Sequence, residues 1–132
     1  MEEMKIPVAK PYLGVEEAQL AYDTILTNWV TQGPRVAEFE EKFAQYVGSE
    51  YAVAVSNCTT ALHLSLIVAG IGPGDEVICP SMSYIATANA IVYVGATPVF
   101  AEVKSETYNI DPADIERKIT SKTKLVAELS WF

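Results

Sequence analysis

The stretch Tyr51-Ala-Val-Ala-Val-Ser-Asn-Cys-Thr-Thr-Ala-Leu-His-Leu64 passes from an apolar strand pattern, through a cluster of hydroxyl and amide side chains, into a helical pattern. Ser56, Asn57, Thr59 and Thr60 can hydrogen-bond an anion beside the first helical N–H groups, which lack an intrahelical acceptor. The chemistry on offer is phosphate binding by local dipoles. The same residues also suit a plain helix cap, since Ser and Asn are favoured N-caps in any protein. Further on, Cys79-Pro-Ser-Met-Ser-Tyr84 follows the next strand pattern, so its loop falls at the same end of a parallel sheet. Tyr84 can lie over a flat ligand, where stacking is worth roughly 0.5–1.5 kcal/mol beyond area burial, or pack in the core with its hydroxyl satisfied. Asn89, in the helix pattern after it, has the same two readings.

Other reactive residue types lack partners. His63 sits between Leu62 and Leu64 with no Ser/Asp or Cys/Asp companion at a recognisable spacing, and reads as a packed or capping histidine. Asp75 and Glu76 follow Gly72-Pro-Gly74 and read as solvated turn residues. Neither GxGxxG nor GxxxxGK[ST] occurs, which counts against dinucleotide and P-loop sites. Cys58 and Cys79 form neither a CxxC pair nor part of a Cys/His cluster, so no metal site or disulfide framework is expected. That pattern fits a reducing, cytoplasmic setting.

The chain has 132 residues, 50% of them hydrophobic, and a formal net charge of −8. Such a charge repels a phosphodiester backbone, so no nucleic-acid partner is expected, and any bound phosphate must be held locally. The acidic start Met1-Glu-Glu-Met-Lys-Ile lacks a signal-peptide apolar core, and no apolar run approaches the ~18 residues of a membrane span.

The elements that must position these groups can be read from periodicity. Val15 to Thr27 and Val36 to Val47 carry apolar residues at intervals of three or four, which predicts two amphipathic helices with Trp29-Val-Thr-Gln-Gly-Pro34 as the loop between them. From residue 51 short apolar runs alternate with helical ones. The strand candidates are Tyr51 to Val55, Glu76 to Cys79, Thr97 to Val103 and Lys124 to Leu129. The helix candidates between them are Thr59 to Ala69, Tyr84 to Val94, and Pro112 to Ile119 capped by Asp111. This alternation predicts an α/β fold with a mainly parallel sheet, flanking helices and right-handed crossovers. It divides the chain into an N-terminal helical segment, 1–50, and an incomplete α/β unit, 51–132.

At these residues the sequence resembles the DegT/DnrJ/EryC1/StrS family, sugar aminotransferases of pyridoxal-phosphate fold type I. The matching motifs run in order: Trp29-Val-Thr-Gln-Gly-Pro34, Phe39-Glu-Glu-Lys-Phe43, Val55-Ser-Asn-Cys-Thr-Thr-Ala-Leu-His63, Gly70-Ile-Gly-Pro-Gly-Asp-Glu-Val77, Pro80-Ser-Met-Ser-Tyr84, Ala86-Thr-Ala-Asn89, Val94-Gly-Ala-Thr-Pro98 and Tyr108-Asn-Ile-Asp-Pro112. Ile6-Pro, with the Lys10-Pro that follows, precedes them, and Ile119-Thr-Ser-Lys-Thr-Lys124 continues the series. Among family members the sequence looks most like those acting on 4-keto nucleotide sugars, such as perosamine-type synthases.

The resemblance implies a cofactor, pyridoxal 5'-phosphate, with Thr59 and Thr60 on its phosphate, Tyr84 stacked on its ring and Asn89 close by. It associates Thr31 and Gly33 with the substrate entrance. The implied reaction loads an amino group from glutamate onto the cofactor and passes it to a nucleotide-linked keto sugar. A complete protein would be a homodimer. The family's Schiff-base lysine, its pyridine-pairing aspartate and a further phosphate-binding serine have no match in this chain, so no catalytic residue is assigned and the chain alone is expected to be inactive. The family pattern fails at Ala127-Glu-Leu-Ser-Trp-Phe132, which points to a frameshift, split gene or truncated frame. A noncatalytic remnant or dimerisation module is the alternative, as is a sugar dehydratase of the same family, in which histidine replaces the lysine. The family's sheet order, 3-2-4-5-6-7-1, implies a truncated large domain here. Its first strand would be cut off from the other three, and exposed strand edges would promote association.

Overall fold

The computed structural model describes residues 9–128, which divide between Ala54 and Val55 into two compact units. The first holds helices α1 (Val15–Leu26) and α2 (Pro34–Val47). α1 opens where the Gly14 N–H donates to the Glu17 carboxylate at 2.6 Å, an interaction that also holds the Glu17 carboxyl below its ordinary range. α2 has Pro34 at its first position and ends at Gly48, whose φ of 72° is the left-handed cap conformation that glycine adopts without a Cβ penalty.

The expected strand at Tyr51 to Val55 joins no ladder. Its burial alternates over Tyr51, Ala52, Val53 and Ala54 as a strand's would, but its backbone is spent elsewhere. The Ala54 N–H donates to Glu40 Oε1 at 2.8 Å, and Ser49 Oγ donates to the Tyr51 carbonyl at 2.9 Å. A strand needs a neighbour, and the described residues supply none at this position.

The second unit contains α3 (Cys58–Val68), β1 (Glu76–Pro80), α4 (Ala86–Tyr93), β2 (Thr97–Ala101), α5 (Pro112–Lys118) and β3 (Thr123–Val126). The strands form a parallel sheet in the order β2-β1-β3, which puts the expected second, third and fourth strands in the arrangement 3-2-4. Lys124 to Val126 of the fourth candidate are confirmed as strand, and Leu129 lies outside the described residues, as does Ile6-Pro7.

β1 is the centre. Val77, Ile78 and Cys79 have no exposed surface, because both sheet faces are covered and both neighbours are strands. Alternation sends Val77 and Cys79 into a cluster with Leu62 and Leu66 of α3 and Ala90 and Ile91 of α4. It sends Ile78 to the other face, against Val99, Ala101, Ile110 and Ile115 of α5. Winding outward to β2 and then back past β1 to β3 reverses direction. Two right-handed crossovers therefore leave α4 and α5 on opposite faces.

α5 starts as expected: Asp111 accepts from the Ala113 N–H at 3.1 Å, and Pro112 occupies the first helical position. The buried Asp114 then ties this helix to the end of β2. Its carboxylate accepts from the Glu102 N–H at 2.7 Å, from Lys118 at 3.0 Å and from Arg117 at 2.8 Å. The backbone donor first, then the two cations, hold its carboxyl down to about 2. Because the folded carboxyl titrates below its ordinary value of 3.8, this preference for the folded state is whole above about pH 4 and is lost as pH falls toward 2. Acid titration of stability should show that loss. In D114N the dependence over this window should shrink to what Glu17 and the other lowered carboxyls leave, and stability at neutral pH should drop, both read by denaturant melts at stepped pH.

The outer edge of β3 borders an apolar cleft of about 230 Å³ between α3 and α4, lined by Leu62, Leu66, Ala90, Ile91, Leu125 and Val126. Elsewhere Val53 and Val68 are 79% and 87% exposed. Free strand edges beside apolar surface favour self-association. Sedimentation of the chain at micromolar concentration should give species heavier than 14.4 kDa, with dye binding to apolar surface; a sharp melt of a monomer would contradict this.

Candidate functional site

The turn into α3 is capped by Asn57. Its Oδ1 accepts from the Thr60 N–H at 2.9 Å and from the Thr60 hydroxyl at 3.1 Å. Ser56 Oγ lies 3.1 Å from Thr60 Oγ1 and accepts from Asn57 Nδ2 at 3.3 Å. These contacts divide the two threonines. The Thr60 hydroxyl is tied into the cap. The Thr59 hydroxyl and the N–H groups of Cys58 and Thr59 have no acceptor among the described residues. They are the first-turn donors that an anion would use, and the helix dipole favours negative charge at the same place. The capping reading is realised at Thr60, and the donors at Cys58 and Thr59 have the geometry that the anion reading requires.

α3 runs for 11 residues and reaches β1 through the short turn 69–75, in which the Gly72 N–H donates to Asp75 at 3.0 Å. It therefore runs back along β1. At about 1.5 Å per helical residue and about 3.3 Å per strand residue the two elements have similar lengths, so the start of α3 lies level with the carboxyl end of β1. That is the sheet end where ligands of open α/β folds gather. β1 leaves there into residues 81–85. Tyr84 lies in this connection ahead of α4, which begins two residues later than the Tyr84 start read from the sequence. The tyrosine is 76% exposed, so its ring is presented to solvent and not packed in the core. Asn89 lies half-buried within α4. Ser83 Oγ and Thr87 Oγ1, 3.2 Å apart, join the connection to the first turn of α4. The sequence reading passed over this pair, although two hydroxyl residues four apart at a helix start are a recognisable signal.

Thr59 and Thr60 thus share one hydrogen-bonded turn, and Tyr84 and Asn89 flank the start of the neighbouring helix on the same sheet face. Among the described residues no hydrogen bond joins the two pairs. Thr31 and Gly33 belong to the first unit, where Thr31 is exposed and Gly33 is the N-cap of α2. His63 of α3 meets Tyr93 of α4 edge-on, with ring centroids 5.6 Å apart, which is the packing role read for it. Cys79 is buried under both helices, and burial pushes its thiol up to about 11; it is neutral and no nucleophile. Among the described residues no helix is long and apolar enough to cross a membrane, and no group of three His, Cys, Asp or Glu is placed to hold a metal ion.

The sequence profile of the DegT/DnrJ/EryC1/StrS aminotransferase family matches residues 11–130. The chain is 47% identical over 126 residues to the spore coat polysaccharide biosynthesis protein SpsC of Bacillus subtilis, covering 96% of this chain and 32% of the relative. It is 46% identical over 123 residues to GDP-perosamine synthase of Caulobacter vibrioides, covering 92% of this chain and 33% of the relative. The putative sugar aminotransferase Spr1654 from Streptococcus pneumoniae, solved in its PMP form, superposes with a TM-score of 0.86 at 37% identity, over 95% of this chain and 32% of that one. The same protein has also been solved in a PLP form. This chain spans about a third of the length of the relatives it matches. From the match across its length and the shared parallel α/β architecture, the chain belongs to the DegT/DnrJ/EryC1/StrS aminotransferase family.

Proposed function

We propose that this chain is the cofactor-phosphate-gripping portion of a pyridoxal-phosphate-dependent aminotransferase that passes an amino group from glutamate to a nucleotide-linked keto sugar. The observation that carries this reading is the start of α3, where the Cys58 and Thr59 N–H groups and the Thr59 hydroxyl are left free for an anion while Asn57 satisfies Thr60. The donor set fits a phosphate monoester: neutral donors and a helix dipole bind the dianion without a cation. The exposed Tyr84 ring fits a flat heteroaromatic partner at the same sheet end.

In this reading Thr59 grips the phosphate, Tyr84 holds the ring plane, Thr60 fixes the turn through Asn57, and Asn89 supports the ring from α4. Thr31 and Gly33 shape the substrate entrance. When bound, pyridoxal phosphate supplies the electron sink for amino transfer. This chain's residues bind and orient it. The amine that would anchor it and move protons comes from family sequence that has no counterpart here, so the chain acts with the remainder of the family sequence and as a homodimer. A reducing cytoplasmic setting belongs to the same reading, supported by two free cysteines.

Titrating pyridoxal phosphate into the isotope-labelled chain should shift the Cys58 and Thr59 amide resonances, and inorganic phosphate should shift the same two more weakly. T59V should weaken binding about tenfold or more, the worth of one hydrogen bond to a charged group. Y84A should weaken the cofactor by about threefold to tenfold and leave inorganic phosphate unaffected. T60V should act mainly on stability. No shift at Cys58 and Thr59 would overturn the phosphate assignment. Supplying the remaining family sequence as a second polypeptide should restore glutamate-dependent amination of a keto sugar nucleotide; cofactor binding without that activity would support a noncatalytic remnant.

A further inference from the structure

The loop between α1 and α2 is built as a clasp. Asn28 turns the chain out of α1 with a left-handed φ of 57°. The Trp29 N–H donates to Thr27 Oγ1 at 3.2 Å, and the Thr27 hydroxyl donates back to the Thr24 carbonyl at 2.6 Å. The indole then folds forward. Its Nε1–H donates to the Gln32 carbonyl at 2.8 Å. Its ring lies so close to Gly33 that a Cβ there would stand 2.7 Å from Cε2 and 2.8 Å from Cδ1, and nearer still to Nε1. Gly33 has extended backbone, φ 179°, so the approach of the ring is what requires glycine here. The Gly33 carbonyl accepts from the Val36 and Ala37 N–H groups at 3.0 and 3.1 Å, which anchors the far side of the loop in α2.

Trp29 is 55% exposed, so it adds little to a core; its indole contacts hold backbone. The closed span 29–33 leaves Thr31 exposed at its tip, on the rim of a groove of about 760 Å³ that Trp29 and Phe39 also line. We propose that Trp29 is a positioning residue: its indole, clasped over Gln32 and Gly33, fixes the loop that presents Thr31 to the sugar nucleotide. The proposal rests on the substrate-entrance reading of Thr31 and Gly33.

The backbone order of the full chain tests it with two variants that break the clasp differently. W29F keeps an aromatic ring and removes the N–H donor; G33A keeps the indole and pushes it off the backbone. The Val30, Thr31 and Gln32 amides donate to no acceptor among the described residues, so the readout is their amide order parameter, which should fall from about 0.85 to below about 0.6 in each variant, with residues 37–47 of α2 unchanged. Titration with a GDP-linked 4-keto sugar should shift the Thr31 amide in the parent chain and show weaker affinity in both variants. Unchanged loop order overturns the clasp, and an equal loss of order throughout α2 shows a merely structural role and overturns the proposal too. A looser loop at undiminished sugar affinity overturns positioning. A parent chain whose Thr31 amide ignores the sugar, with loop order falling in the variants, supports the clasp as the device that fixes the loop and overturns instead the substrate-entrance reading.

Discussion

The complete burial of β1 is the constraint from which the second unit follows. A central parallel strand has ladders on both edges and side chains on both faces, so Val77, Ile78 and Cys79 can be removed from water only if strands flank them and helices cover both sides. α3 and α4 cover one face and α5 the other. Since α3 runs back along β1, its N-terminus falls at the strand's carboxyl end, beside the connection that carries Tyr84. The position of these first-turn donors is thus a consequence of how the core is closed.

At the start of α3 two physical demands meet on adjacent residues. A helix must satisfy its first N–H groups, and an anion site must leave some of them free. The structure is compatible with both demands because they fall on different residues. Asn57 satisfies the Thr60 N–H and ties down its hydroxyl, which fixes the turn. The Thr59 hydroxyl and the Cys58 and Thr59 N–H groups have no acceptor among the described residues. A rigid cap beside free donors lowers the ordering cost of binding. Asp114 plays a corresponding role at the opposite face, where one carboxylate joins the end of β2 to α5 through a backbone N–H and two cations.

Much of this architecture is legible in the sequence because the relevant signals are local. Asp111 with Pro112, Gly48 after an amphipathic run, and the alternation of short apolar runs with helical ones each act over a few residues. Other features depended on partners far away in sequence. Tyr51 to Val55 has a strand's composition and a strand's alternating burial, yet no neighbour pairs with it and Glu40 takes the Ala54 N–H. Tyr84 matched a helical period but stands before α4. The hydroxyl and amide cluster before α3 was visible as residue types, while which threonine is tied into the cap depended on Asn57 geometry.

By itself the sequence determined most of the element types, the parallel α/β class, the family and a small set of hydroxyl, amide and aromatic residues of the types suited to a phosphate and a ring, because propensity, capping and motif spacing are written residue by residue. Only the tertiary structure decided that β1 is central, that Tyr84 is presented and not packed, that Thr60 is occupied while Thr59 is free, that Asp114 is the buried tie, and that Trp29 closes over Gly33. Each of these is a choice between competing partners for the same donor, acceptor or apolar face. Such choices are settled by which groups the folded chain brings within a few ångströms.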